Sequence, residues 1–139
     1  MREILFRGRC SGGPWLYGSL LVYKDGYCEI CVPDGEDALN KFRVDPETVG
    51  QFTGLTDKNG KKIFDGDIVH ILGNQMVEDW KNVDYIALIA FLDGGFCAID
   101  GTIDDHAFRR YALERMDFDL EVIGNIHDNP ELLEVSDNG

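Results

Sequence analysis

The segment from residue 48 to residue 69, TVGQFTGLTDKNGKKIFDGDIV, constrains the fold more than any other part of this chain. Glycines and turn-forming polar residues alternate in it with short apolar runs, which is typical of closely connected β-strands. Asp57-Lys58-Asn59-Gly60 predicts a type I turn that ends in a glycine bulge, with Gly60 at a positive φ. We therefore expect a β-hairpin with its tip at residues 57–60.

The chain before this segment predicts a three-stranded β meander. Its strands are expected at residues 3–9, 15–23 and 27–32, separated by a glycine-rich turn and by Asp25-Gly26. Residues 33–40 are polar and rich in turn formers, so we expect a mobile loop there, followed by a short extended piece at 41–44.

The chain after the segment predicts more strands and one helix. Residues 83–92 and 96–99 predict a hairpin, and their continuous apolar character indicates burial on both faces. Apolar residues at helical spacing, behind an acidic cap, predict a helix over about 104–116. Residues 120–126 read as the last strand, and Asn129-Pro130-Glu131 as the start of a terminal helical turn.

These elements predict a mainly β protein of the α+β type with one helix in its C-terminal half. At 139 residues the chain suits a single domain, 1–139, with sub-parts 1–44 and 45–139. Its longest apolar run has eight residues, from Tyr85 to Leu92, against the roughly 20 that cross a bilayer. The N-terminus lacks the features of a signal peptide, so we expect a cytoplasmic protein that does not enter a membrane.

The formal charge of −13 is unevenly distributed. Residues 100–139 carry three basic and eleven acidic groups, a net charge of −8. Such a field repels nucleic acid and anionic membranes and attracts basic proteins, although acidic residues also simply confer solubility. The candidate contacts are carboxylates without an obvious local cation: Asp117, Asp119, Glu121, Asp128 and Glu131.

The cysteines and histidines do not form a chemical motif. Cys28 and Cys31 make a single CxxC in a strand-like setting, where positions three apart face opposite sides. We therefore expect buried thiols, no bound metal and no cofactor, and no unfolding when zinc is chelated. No known catalytic pattern includes the three histidines, His70, His106 and His127. We therefore expect a protein that is not an enzyme, and the alternative is a hydrolase whose active site has no recognisable sequence motif.

Two further groups are candidate contacts. Trp15 and Tyr17 share one face of the second strand, where they form either a stacking platform or cross-strand packing. Gln51 and Asn59 lie beside glycines, either as the rim of a binding groove or as turn residues bonded to the backbone.

Several parts of the chain resemble the YopX family of phage and prophage proteins. The resemblance rests on Phe6-Arg7-Gly8, Trp15-Leu16-Tyr17-Gly18, the segment 48–69, Val122-Ile123-Gly124-Asn125-Ile126 and Asn129-Pro130-Glu131-Leu132-Leu133. It implies a β-rich fold with a small SH3-like open barrel and an origin in a phage or prophage. It supplies no catalytic residues.

The sequence therefore predicts an accessory protein that acts by binding. The first hypothesis is that its acidic C-terminal third binds a basic host or phage protein, in the sharper form as a mimic of nucleic acid. The second is a small barrel that binds nucleic acid directly, which the net charge disfavours. Whether the chain forms a homo-oligomer is left open.

Overall fold

The computed structural model describes residues 3–73, 84–92, 94–100, 109–112 and 118–135. These ranges contain eleven β-strands, one turn of 3₁₀ helix and one short α-helix, so the predicted β-rich fold is confirmed. The chain divides into two compact units, residues 1–54 and 55–139. The sequence-based sub-parts meet ten residues earlier, at residue 44.

The first unit contains five strands of an antiparallel sheet, in the order β4-β3-β2-β1-β5. Its strands are β1 Phe6–Arg9, β2 Trp15–Val22, β3 Cys28–Asp34, β4 Ala38–Val44 and β5 Gly50–Thr56, and β5 continues across the unit boundary. The 3₁₀ turn Pro46–Thr48 connects β4 to β5. The predicted meander is confirmed as β1, β2 and β3.

The loop predicted at residues 33–40 is wrong. β3 continues through Pro33 to Asp34 and turns at Gly35 into β4, which pairs with it along its whole length. Proline is tolerated at position 33 because β2 pairs only with residues 28–31 of β3. Pro33 lies past this paired stretch, so its missing N–H removes no hydrogen bond to β2.

The hydrophobic cluster of the first unit lies on one face of its sheet. Leu16 and Leu20 of β2 pack against the buried Cys28, Ile30 and Val44, while Tyr17, Ser19 and Leu21 alternate onto the exposed face. Gly18 allows β2 and β3 to approach closely, because a Cβ at this position would lie 2.2 Å from the carbonyl oxygen of Cys31.

The second unit is built on an antiparallel sheet in the order β10-β9-β8-β7-β11. It begins with β6 Lys62–Phe64, the hairpin partner of β5. The sheet strands are β7 Asp67–Gly73, β8 Asp84–Leu92, β9 Gly95–Asp100, β10 Arg109–Ala112 and β11 Phe118–Asn125, and α1 Glu131–Val135 follows. The terminal helical turn is thus confirmed.

Both faces of this sheet are buried at its centre, as the continuous apolar runs predict. Val69, Ala87 and Ile89 are fully buried on one face, against Ile63 of β6. Ile68 and Ile99 are fully buried on the other, where the register brings each opposite Leu88. Burial on both faces explains why apolar and polar residues do not alternate along β8 and β9.

The helix predicted over 104–116 is wrong at residues 109–112. These form β10, whose four residues pair with β9, Arg109 opposite Asp100 and Tyr111 opposite Ala98. The apolar spacing fits a helix, but a backbone ladder on an existing sheet outweighs so weak a local preference. The other residues of the predicted helix lie outside the described ranges.

The described strands do not close into a barrel, because each sheet has two different end strands. The SH3-like element thus remains an implication of the resemblance. No helix in the described ranges is both long and apolar enough to span a membrane.

Candidate binding surfaces

The tip of the β5–β6 hairpin is fastened to β11 by the carboxylate of Asp57. Its Oδ1 accepts the backbone N–H of Asn59 at 2.8 Å and of Lys61 at 2.9 Å, which closes the turn. Its Oδ2 accepts the N–H of Val122 at 2.9 Å, 65 residues away. The predicted tip and the positive φ of Gly60, 82°, are confirmed.

Asp57 is held as a carboxylate by these bonds. The side chain is only 7% exposed, and burial alone would raise its pKa. The N–H groups of Val122, Lys61 and Asn59, together with the charge of Lys61, outweigh burial and lower the pKa of Asp57 below its usual value. A second buried carboxylate of the same segment, Asp67, accepts the N–H of Phe64 at 2.8 Å.

The backbone and side chain of Lys58 add to this attachment. Its N–H donates to the carbonyl of Leu120 at 2.9 Å, and its Nζ lies 3.7 Å from Glu121 Oε2. Asn59 is exposed at the tip, and its N–H is committed to Asp57. The turn interpretation of Asn59 is therefore what the structure shows, and its role as a contact stays a prediction.

The predicted acidic contacts fall into two groups on the second unit. Asp119 is exposed and Glu121 half-buried on the same side of β11, while Leu120 and Val122 alternate towards the core. Asp128 and Glu131 are exposed beyond the other end of β11. Along β11, Asn125, which holds Asp128, is six residues from Asp119 and four from Glu121, so it lies about 20 Å from Asp119 and about 13 Å from Glu121. Asp117 lies outside the described residues.

The turn that carries Asp128 is organised by Asn125. Its side-chain oxygen accepts the N–H of His127 and of Asp128, and its amide donates to Asp128 Oδ2 at 3.2 Å. The side chain of Asn129 accepts the N–H of Asn125 in return. Gln51, the other amide predicted as a contact, is half-buried in β5 opposite Phe6.

Aromatic and cationic side chains share the second face of the first sheet, on which Arg7 is buried and Tyr17 is exposed. Trp15 lies opposite Arg9 and Tyr17 opposite Arg7, so the two aromatic residues share a face as predicted. The Arg7 guanidinium lies over the Trp15 ring at 4.8 Å, which favours the packing interpretation of Trp15. Tyr17 is 48% exposed.

Farther along this face, two tyrosines share one carboxylate. The hydroxyls of Tyr23 and Tyr27 donate to Glu29 at 2.5 and 3.4 Å, and their rings meet edge to face. The hydrogen bond to Glu29, with lesser contributions from burial and nearby charge, raises the pKa of Tyr23 to about 12. The Arg43 guanidinium stacks on Tyr27 at 4.9 Å.

The sequence pointed to neither this cluster nor the bond from Asp57 to β11. Glu29 belongs to β3, Tyr27 directly precedes it, and Arg43 belongs to β4, which extends through a segment that the sequence assigned partly to a loop. The one sequence signal for the exposed cations is the spacing of Lys41 and Arg43, which places both on the same face of a strand.

The thiols and histidines form no shared site in the described chain. Cys28 and Cys31 are buried and face opposite sides of β3, as the strand reading predicts. Among the residues that the structure describes, no three histidine, cysteine, aspartate or glutamate side chains are grouped closely enough to hold a metal ion. His70 lies in β7, His127 in the turn after β11, and His106 outside the described residues.

Comparison with known proteins supports the family resemblance. The family model described as YopX protein matches residues 17–134. The fold resembles the crystal structure of protein YopX from Bacillus subtilis, with a TM-score of 0.60 and 24% identity over 96% of this chain and 99% of that one. It also resembles protein EF1440 from Enterococcus faecalis, with a TM-score of 0.55 and 25% identity over the same shares. No curated protein matches the sequence.

Proposed function

The chain belongs to the YopX protein family, and we propose that it acts by binding a basic protein through its second unit. The observation that carries this proposal is how charge divides between the two units. The first, residues 1–54, has six basic and eight acidic residues, a net of −2. The second, residues 55–139, has seven basic and eighteen acidic residues, a net of −11.

We name Asp119, Glu121, Asp128 and Glu131 together the acidic surface. The carboxylates of Asp119 and Glu131 make no hydrogen bond or ion pair with other described residues. The Glu121 carboxylate lies 3.7 Å from Lys58 Nζ, and the Asp128 carboxylate accepts the side-chain amide of Asn125. Exposed ion pairs of this kind contribute little to stability. Asp119, Asp128 and Glu131 are exposed and Glu121 is half-buried, so a basic partner could reach these carboxylates and would relieve their mutual repulsion.

Mimicry of nucleic acid is the sharper form of the proposal, in which the partner is itself a nucleic-acid-binding protein. A cytoplasmic setting in a bacterium that carries the phage or prophage belongs to the same proposal, as does the absence of an enzymatic role. In this form, added duplex DNA competes with the chain for its partner.

The experiment compares two neutralised variants that lose the same number of charges. One carries Asp119→Asn, Glu121→Gln, Asp128→Asn and Glu131→Gln on the acidic surface. The other carries Asp34→Asn, Glu36→Gln, Asp37→Asn and Glu47→Gln, all exposed in the first unit. Each variant and the wild type is used to capture proteins from lysate of a bacterial host.

We expect the wild type and the first-unit variant to capture the same basic protein, and the acidic-surface variant to lose most of it. Equal capture by all three forms, or capture of a neutral or acidic protein, would contradict the proposal. The charge would then act only in solubility.

A further inference from the structure

We propose that the open edge of β4 is a second binding site, which accepts an extended segment whose acidic residues alternate with apolar ones. The segment would add to the first sheet as a new strand beside β4. This site lies in the first unit and takes a partner of opposite charge to the one proposed for the acidic surface.

The backbone of β4 is available along one side. Among the described strands, β4 is the end strand of its sheet and pairs with β3 alone, through seven consecutive residues from Ala38 to Val44. Each of these residues except Val44 is exposed. In an end strand, every second residue points its N–H and C=O away from the sheet, and these groups are a template for another strand.

The face that carries Lys41 and Arg43 determines the charge of the partner. Lys41 lies opposite Cys31 and therefore has no acidic neighbour across the ladder. Arg43 lies opposite Glu29, but the Glu29 carboxylate accepts the hydroxyls of Tyr23 and Tyr27, while Arg43 stacks on the Tyr27 ring.

Within the described chain, neither Lys41 nor Arg43 forms an ion pair. Two cations thus stand two residues apart on one face of an open strand. Carboxylates at alternate positions of an added strand would lie directly opposite them, where cross-strand pairs of opposite charge are favourable.

The other face of β4 accounts for the apolar half of the pattern. Phe42 is 39% exposed although it lies opposite the fully buried Ile30, so one side of its ring is open at the edge of the core. An apolar residue of the added strand would cover that side.

Charged residues on an end strand also protect it from unwanted pairing, and this is the competing explanation of Lys41 and Arg43. The two explanations differ in outcome, because an edge that is only protected binds no strand of either charge. The net charge of −13 opposes an acidic peptide at long range, so binding is best measured at physiological salt, where that field is screened over about 8 Å.

The test uses the full chain and an acetylated, amidated octapeptide that alternates aspartate and valine. Binding is followed by NMR titration together with amide hydrogen exchange. We expect protection of amides at alternate positions of β4, which strand addition produces and loose electrostatic attraction does not. Two further peptides are N-methylated, one at its odd-numbered residues and one at its even-numbered residues. Methylation should abolish binding where the modified N–H groups point towards β4 and should spare it where they point away.

Matched variants locate the site. Lys41→Glu should weaken peptide binding about tenfold, because it removes an attraction and adds a repulsion. Lys24→Glu, the same charge change at an exposed turn residue, should leave the affinity within about twofold. The methylated peptides give an independent readout if a protein variant folds poorly.

Other outcomes would overturn the proposal. These are no binding, binding that methylation does not affect, equal weakening by Lys24→Glu and Lys41→Glu, or a dimer of the chain through β4 in the absence of peptide. Preferential binding of a single-stranded oligonucleotide to the same face would overturn it in favour of a stacking site for bases.

Discussion

At the scale of single residues, Asp57 connects the two ends of the second unit. One oxygen closes the hairpin turn, and the other holds the N–H of Val122 in β11. The turn role of Asp57 follows from Asp-Lys-Asn-Gly, because such tetrapeptides have a known geometry. Its bond to β11 could not be predicted, since the backbone of any strand offers the same N–H.

Replacing Asp57 with asparagine should reduce the free energy of unfolding by about 1–3 kcal/mol at pH 7, because three partly buried N–H groups lose a charged acceptor. Asp119→Asn serves as the control, because the side chain of Asp119 is exposed and has no described partner. This substitution should change the free energy of unfolding little. Urea unfolding of both variants and of the wild type measures the difference.

The stabilisation by Asp57 should also depend on pH. Because the folded pKa lies below the ordinary value of 3.8, the contribution is complete above that value and is lost as pH falls through the folded pKa. The difference in the free energy of unfolding between wild type and Asp57→Asn should thus be constant from pH 7 to about 5 and should become smaller below about pH 4. A gap that widens in acid would show that the carboxylate is not held in its charged form.

Gly60 tests the backbone of the same turn. Its φ is 82°, and an added Cβ would meet no atom within 4 Å, so any cost of substitution comes from conformation alone. Gly60→Val should lower the free energy of unfolding by more than about 1 kcal/mol, and Gly60→Asn by less, because asparagine tolerates this region. Equal melting temperatures for Gly60→Val and wild type would count against the turn.

At the scale of elements, periodicity predicted the strands that have a clear inside and outside. The alternation of β2 and the continuous apolar runs of β8 and β9 both matched the burial found. β4 and β10 are different, because their pairing with β3 and β9 defines them. Tertiary pairing overrides local preference in both, and a single sequence does not display it.

Gly18 tests the contact between β2 and β3. Because its Cβ would lie 2.2 Å from the Cys31 carbonyl oxygen, Gly18→Ala must separate the two strands and should cost about 1–3 kcal/mol. Gly95→Ala is a matched control in a strand, with no atom within 4 Å of the new methyl group. Denaturant unfolding that finds the two variants equally stable would contradict the close approach.

At the scale of the whole molecule, the unequal charge of the two units is the basis of the proposed function. Counting charges in the sequence showed the excess in the C-terminal third, and the division after Gly54 assigns a net −11 to the second unit. The structure also shows that the acidic residues form two groups, because β11 separates Asp119 and Glu121 from Asp128 and Glu131.

The most direct test of this account is the rate at which the captured partner associates with the chain over a series of salt concentrations. Attraction between the acidic surface and a basic protein predicts a rate that falls steeply with rising ionic strength, while dissociation changes less. The four substitutions of the acidic surface should flatten that dependence, and the four first-unit substitutions should not. An association rate that is independent of salt in all three forms would contradict the account.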